Sequence, residues 1–529
     1  MGWVLLSGLL LTLSFPTPDL HLLVWVALVP MALVVRDASA WRCWWAGFVT
    51  GFVWRATSLY WVTHVMVTYG GMSPPLGLAV TGLLALWMAL STGLFCLLVP
   101  YALRRGVAGA VLLAAVWVSL EYLQVLLPFG FPWTLLGYAA GRTLLLMQAA
   151  DLAGVWGLSF LAVFVNVAIA QRISRGRRAL PLALVAAVGI LAFAAYGGYR
   201  LADAPRHEPG AVAGLAEGAA APLRVAVIQG NVEQGRVWAP EALRSILENH
   251  VRLSLEAIDD GADLIVWSES SAPIPGGLEG DASTRSMLAQ LARQTGKTLV
   301  VGSPHFELDA AGRPAVTNAA FLVRADGDWA ARYDKVRLVP WGEYVPMSWL
   351  FRFVAPLVEA IAGFRRGDPD QQLFEDPGGG VPPFAMAICY EVIFPDHVRR
   401  QVARGATFVA TITNDAWFGD TFAPHQHFSM ARLRAVETRR YLVRAANTGI
   451  SGMVDPWGRV MEKTGLDESV VAVANIRPLS SRTLYVRWGD VLPRLCVVLT
   501  LLGALLAWRS RVGAPTPTRE HPTVPTREQ

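Results

Sequence analysis

Seven apolar runs crowd into residues 1–200 of this chain and an eighth lies near its end. A run of roughly 20 apolar residues crosses about 30 Å of hydrocarbon as a helix, which satisfies its own backbone polar groups where no water can. The runs fall at 2–16, 20–35, 41–63, 75–103, 107–127, 150–171, 179–199 and 491–508, and each predicts a membrane span. The first is short. It has no basic residue ahead of its apolar core, and "SFPTP" is a poor cleavage site, so it reads as a span and not as a leader peptide. With 529 residues, 54% of them hydrophobic, the chain still has room for a sizeable polar domain.

Orientation follows from arginines in the short loops, because positive charge resists translocation. Arg36 and Arg42 follow the second run, Arg104 and Arg105 the fourth, Arg172, Arg175, Arg177 and Arg178 the sixth, and Arg509 and Arg511 the last. All fall on one side, while the opposite short loops hold only Arg142. Both termini are therefore expected in the cytoplasm and the long polar block outside it. The net charge of +5 reads as topology, and no basic tract with interleaved aromatics points to nucleic acid. The predicted organisation is a membrane domain of seven spans at 1–205, an Ala/Gly/Pro linker at 206–222, an outer domain at 223–485, the eighth span at 486–510 and a disordered tail at 511–529. Arg55 inside the third run is costly in hydrocarbon, which suggests either a lipid-phosphate contact or pairing with Glu121.

In the outer block, "LRVAVIQGNV" (223–232), "DLIVWSES" (263–270), "TLVVGS" (298–303), "NAAFLVRADG" (318–327), "FAMAICY" (384–390) and "TFVATITND" (407–415) read as strands. Helical spacing marks 240–258, 283–296 and 425–441, and "ANTGISGMVDPWGRV" reads as paired strands around a turn. Such alternation indicates an α/β or α+β sandwich. The apolar segment 345–364 is either a buried helix pair or an amphipathic lid on the bilayer, anchored by Trp349, Phe351 and Phe353. His425 and His427 lie close together but lack a ligand set, so no metal and no cofactor is expected.

Of the four cysteines, Cys43, Cys96 and Cys496 lie in predicted spans, which leaves Cys389 without a partner in the outer domain. A lone thiol in an oxidising compartment is either buried and inert or kept for its chemistry. Two other strand ends carry reactive groups, Glu269 after "LIVW" and Lys335 in "RYDKVRLVP". A carboxylate to take the thiol proton, a sulfur nucleophile and an ammonium to hold an oxyanion form a complete acyl-transfer set. Only three of the 45 basic residues are lysines, Lys297, Lys335 and Lys463, so a lysine kept between Arg332 and Arg337 suggests a task for a compact ammonium.

The set "VIQGNV", "LIVWSES", "YDKVRLVPWGEYVP", "ICYEVIFPD", "TNDAWFGDTFAPHQHFSMARLRAVE" and "RAANTGISGMVDPWG" resembles the nitrilase, or carbon–nitrogen hydrolase, superfamily. With seven spans before it and one after, the whole chain resembles that superfamily's membrane-embedded branch, the apolipoprotein N-acyltransferases. The resemblance implies a polytopic helical membrane domain of about eight spans joined to an α-β-β-α sandwich. It implies a triad of Glu269, Lys335 and Cys389 with support from Glu343, Tyr390, Glu391 and Trp238. Glu391 has a helix-capping role open to it as well, and Trp238 a packing role. The chain reads "WSE" where many relatives read "WPE", which softens the turn before Glu269 and leaves its carboxylate in place.

The implied partners are a phosphatidylethanolamine-like phospholipid as acyl donor, a diacylated apolipoprotein as acceptor and the bilayer itself, with the enzyme a monomer in a bacterial inner membrane. The "PFGFPW" loop at 128–133 and the 345–364 segment are expected at the lipid-facing rim, and "NDAWFGD" at 414–420 as a pocket wall. A membrane-tethered amidase with the same triad is the nearest rival, though one span would tether it. A transporter or scaffold finds little support in so few intramembrane charges.

Overall fold

The computed structural model describes residues 1–127, 130–202, 204, 221–237, 240–308, 312, 314–344, 349 and 363–512. Among the described residues, three stretches are long and apolar enough to cross a membrane, Pro74–Leu103, Gly106–Leu126 and Ala150–Ala202. The last holds two helices, Ala150–Arg175 and Leu180–Ala202, joined by the turn Gly176–Ala179. Shorter apolar helices lie at Gly2–Leu13, His21–Val35 and Val491–Leu506.

Two expected spans are divided. The run 20–35 folds as a 3-10 turn at His21–Trp25 and a helix at Val29–Val35, and 41–63 breaks between Ala40–Ser58 and Trp61–Thr68. Hydropathy registers apolar content and not the turns that interrupt it, so neither break shows in the pattern. Helices Ala40–Ser58 and Pro74–Cys96 approach closely because small residues line their seam. A Cβ on Gly47 would lie 2.4 Å from the Thr92 carbonyl oxygen, and one on Gly51 2.7 Å from the Thr92 hydroxyl. Arg55 donates to the Thr134 carbonyl at 3.1 Å and lies 3.5 Å from the centre of the Trp54 ring. Glu121 instead accepts from Trp117 Nε1 at 2.8 Å and from the Leu136 N–H at 2.6 Å.

Among its described residues, the domain that follows has twelve strands: β1 Leu223–Gln229, β2 Leu264–Trp267, β3 Thr298–Leu308, β4 Pro314–Val323, β5 Trp329–Asp334, β6 Phe374–Asp376, β7 Val381–Ile388, β8 Val409–Thr413, β9 Leu442–Ala446, β10 Gly452–Val454, β11 Val460–Lys463 and β12 Val470–Ile476. They form two six-stranded sheets, ordered β12-β1-β2-β3-β4-β5 and β11-β10-β9-β8-β7-β6. Alternation along each strand decides what it faces. Val225 and Val227 of β1 meet Phe384, Met386 and Ile388 of β7 in the core between the sheets. Ala226 and Ile228 point the other way, toward helices Pro240–Asp259 and Ala282–Thr295. Helices Pro395–Ala403 and Phe422–Thr438 cover the second sheet, which completes the α-β-β-α order.

That last layer is shared. Val398, Val402, Phe428, Leu433 and Val436 belong to one continuous apolar core with Trp54, Tyr138, Trp156 and Leu158 of the membrane half. The helix expected at 425–441 runs instead over Phe422–Thr438. It stops because Arg439 turns left-handed at φ +50°, and its buried guanidinium binds Asp151 at 2.7 Å and Gln148 Oε1 at 2.7 Å. Of the segment 345–364, expected as a buried helix pair or a lid, residues 345–348 and 350–362, with Phe351 and Phe353, lie outside the described residues, and Trp349 is exposed. In the described part of the "PFGFPW" loop, Trp133 is buried and donates from Nε1 to Gln426 Oε1 at 2.7 Å, which ties it to the helix Phe422–Thr438, while Phe131 stays partly exposed.

Candidate active site

Each candidate side chain sits just past a strand, where the fixed spacing of a sheet sets the separation of the groups its ends carry. Glu269 follows β2, Lys335 follows β5 in the same sheet, and Cys389 follows β7 in the facing sheet. All three are buried. Lys335 Nζ lies 2.7 Å from Glu343 Oε1 and 3.5 Å from Glu269 Oε1. Glu343 Oε2 also accepts the Val339 N–H at 2.8 Å. Cys389 adopts φ +54°, a conformation that costs a non-glycine residue of order 1 kcal/mol and persists only where its surroundings enforce it.

The charges have definite directions. Burial pushes the Cys389 thiol up, Glu269 pushes it further, and Lys335 and the Thr413 hydroxyl oppose them without prevailing. For Lys335, burial alone favours the neutral amine, but Glu343, Glu269 and Cys389 outweigh it and hold the ammonium charged. A neutral thiol thus lies beside a fixed positive charge.

The supporting residues divide. Glu391, fully buried, accepts the Val336 N–H at 2.6 Å, the Arg337 N–H at 2.9 Å, the Ile388 N–H at 2.7 Å and the Tyr333 hydroxyl at 3.0 Å. It therefore buckles the segment after Lys335 to the turn that carries Cys389. Tyr390 points toward the membrane half, where its hydroxyl donates to the Gly130 carbonyl at 3.0 Å and its ring stacks on Phe131 at 6.1 Å. Trp238 lies outside the described residues.

Two asparagines escaped the reading of the sequence. Asn318 Nδ2, on β4, donates to Glu269 Oε1 at 2.6 Å and to Glu343 Oε1 at 3.2 Å. The Asn414 N–H donates to Glu269 Oε2 at 2.6 Å, a contact to the carboxylate from a segment expected only as a pocket wall. The available signal was a lone amide in the apolar strand "VTNAAFLV". His427, weighed only as a metal ligand, instead lies behind the cysteine, its Nε2 3.2 Å from the Cys389 carbonyl oxygen.

A sandwich of paired sheets with a cysteine, a lysine and carboxylates at its strand ends defines a nitrilase-type domain, and the carbon-nitrogen hydrolase family model matches residues 224–484. The model of the apolipoprotein N-acyltransferase N-terminal domain matches residues 7–168. The chain is 40% identical over 514 residues to an apolipoprotein N-acyltransferase of Geobacter metallireducens, covering 96% of this chain and 95% of that one. It is 34% identical to that of Azotobacter vinelandii over 98% of both chains. A solved amidase of the nitrilase superfamily from Nesterenkonia AN1 aligns with a TM-score of 0.37 at 22% identity, covering 51% of this chain and 95% of that chain. The chain belongs to the apolipoprotein N-acyltransferase family.

Proposed function

We propose that this enzyme moves a fatty acyl chain from a phospholipid, through a thioester on Cys389, to the α-amino group of the N-terminal diacylglyceryl-cysteine of an apolipoprotein. The observation that carries the reading is the ammonium of Lys335 held among carboxylates beside a buried thiol, in a chain related end to end to enzymes of that name.

In the first half-reaction the sulfur attacks an ester carbonyl of the donor while Glu269 takes the thiol proton. Lys335 and a backbone N–H hold the oxyanion. The C–O bond then breaks and the proton passes to the departing lysophospholipid. In the second, the acceptor amine attacks the thioester, the C–S bond breaks, and the amine proton returns to the sulfur through Glu269. This is ping-pong acyl transfer. Water must be kept from the thioester, and the aromatic rings of Trp61, Phe131, Trp133 and Phe418, packed at centroid distances of 4.9 to 6.3 Å, suit that task.

The membrane half has a physical purpose in this reading. Exposing a fatty chain to water costs ~0.8 kcal/mol per CH₂, a cost avoided at a site on the bilayer surface. The loop arginines support a catalytic domain on the periplasmic side of a bacterial inner membrane with both termini cytoplasmic. A monomer bearing one complete site satisfies the chemistry. No observation favours the amidase alternative, and a core shared with the membrane helices exceeds what a tether requires.

The test is incubation of purified enzyme with phosphatidylethanolamine carrying a labelled acyl chain, without acceptor. Label should accumulate on Cys389 of the wild type, be absent from Cys389→Ser, and pass to a diacylated lipopeptide when one is added. Release of labelled fatty acid at the full turnover rate, with none on the lipopeptide, would refute the proposal.

A further inference from the structure

The turn that carries Cys389 is held from two sides. On the N-terminal side Glu391 fixes the Ile388 N–H at 2.7 Å. On the other, the Cys389 carbonyl oxygen lies 3.2 Å from His427 Nε2, and a carbonyl oxygen only accepts, so Nε2 must carry the proton for the contact to be favourable. The far side of the ring is equally constrained. Nδ1 lies 3.1 Å from Arg444 Nη2 and 3.0 Å from Asp415 Oδ1, and Arg444 Nη2 is itself 2.7 Å from Asp415 Oδ2. The two hydrogens on Nη2 serve both neighbours. Asp415 is anchored further by the Thr413 hydroxyl at 2.8 Å and Arg444 by the Ile450 carbonyl at 3.1 Å. His427, Asp415 and Arg444 are all fully buried, and Trp133 of the membrane half closes the cluster with its ring 5.5 Å from the imidazole.

We infer that His427, oriented by Asp415 and Arg444, is a positioning residue for the nucleophile: its Nε2–H pins the Cys389–Tyr390 peptide and so fixes the direction of the Cys389 side chain. Burial, and after it Arg444, draw the ring toward the neutral imidazole, while Asp415 and the Cys389 carbonyl oppose them; the contact to that carbonyl calls for a proton on Nε2 in either form. A peptide unit is planar, so holding its carbonyl also fixes the Tyr390 N–H on the opposite edge. That N–H belongs to the residue directly after the nucleophile, within reach of an oxyanion formed at the sulfur. A displacement of about 1 Å at a reacting group is worth about 100-fold in rate, so an anchor of this kind should be visible in the acylation step.

The inference rests on Cys389 being the nucleophile, and the test separates the two. Glutamine places an amide N–H near the position of Nε2, and asparagine near that of Nδ1. Single-turnover acylation of Cys389 by phosphatidylethanolamine, followed by intact mass, should proceed in His427→Gln within about threefold of wild type and fall about 30-fold or more in His427→Asn, with the half-saturating phospholipid concentration unchanged. Equal rates in the two variants, or equal losses that follow their melting temperatures, would overturn the inference. Wild type labelled with ¹⁵N-histidine decides it without a variant: His427 Nε2 should be protonated, and an unprotonated Nε2 refutes the anchor. Absence of any acyl-Cys389 in the wild type would instead refute the proposed function.

Discussion

The side-chain amide of Asn318 donates to Glu269 Oε1 at 2.6 Å and so fixes the carboxylate whose charge acts on the Cys389 thiol. The same nitrogen reaches Glu343, so one neutral donor keeps two carboxylates apart around Lys335. Asn318→Asp would place a third carboxylate among them, and such neighbours share a proton instead of all ionising. Acylation of Cys389 at pH 7 should fall at least about tenfold and recover as pH rises and the shared proton leaves. A pH–rate profile identical to that of wild type would show that Asn318 does not govern the base.

Lys335 is buried, with its charge maintained by Glu343 and Glu269. Arginine keeps the charge but brings a larger planar group to a position already buried between two carboxylates. Lys335→Arg should slow acylation about 10²–10³-fold, the usual effect of losing one oxyanion donor, and Lys335→Met by at least as much. Single-turnover formation of acyl-Cys389 is the measurement.

The thiol of Cys389 is raised above its ordinary value of 9.0 by burial first and Glu269 second. Removing the negative neighbour in Glu269→Gln lowers that pKa, so more thiolate is present at a fixed pH of about 8. Alkylation of Cys389 by iodoacetamide should therefore become about three- to tenfold faster in the variant, while acyl transfer is lost. Slower alkylation would mean that Glu269 assists ionisation in the resting enzyme as well.

Glu391 accepts from three backbone N–H groups and a tyrosine hydroxyl in the interior. Glu391→Gln turns an amide NH₂ toward one of those donors and leaves it unpaired, at about 1–3 kcal/mol. The melting temperature should drop by about 2–4 °C per kcal/mol, and the acylation rate should drop with it because the Lys335 and Cys389 segments are no longer clasped. Differential scanning fluorimetry and the acylation assay on the same preparations measure both.

What could be read in the sequence had a local cause. "LIVW", "TLVV" and "FAMAI" are apolar because both faces of each strand are covered, and that pattern is visible without knowing the partner. Glu269 and Cys389 could be picked out because each follows such a run, and Lys335 because lysine is scarce among the basic residues. Asp415 and His427 could not, since a polar residue just past a strand or inside a helix has the same appearance whether it meets water or a buried partner. The antiparallel pairing of β12 with β1, Leu223 opposite Ile476, joins segments too far apart for any local pattern. The breaks at 26–28 and 59–60 were hidden because the residues in the turns are as apolar as those in the helices.

The helix Phe422–Thr438 has consequences for anyone who would handle the sandwich separately. Its outward side is finished by the transmembrane bundle, with Arg434 and Glu437 sealed against Tyr138 and the Val155 N–H. A fragment beginning near Leu223 and ending before Val491 would present that greasy, charge-studded side to solvent and clump. Making a water-soluble version calls for resurfacing the helix, because excision alone leaves half of a joint interior exposed.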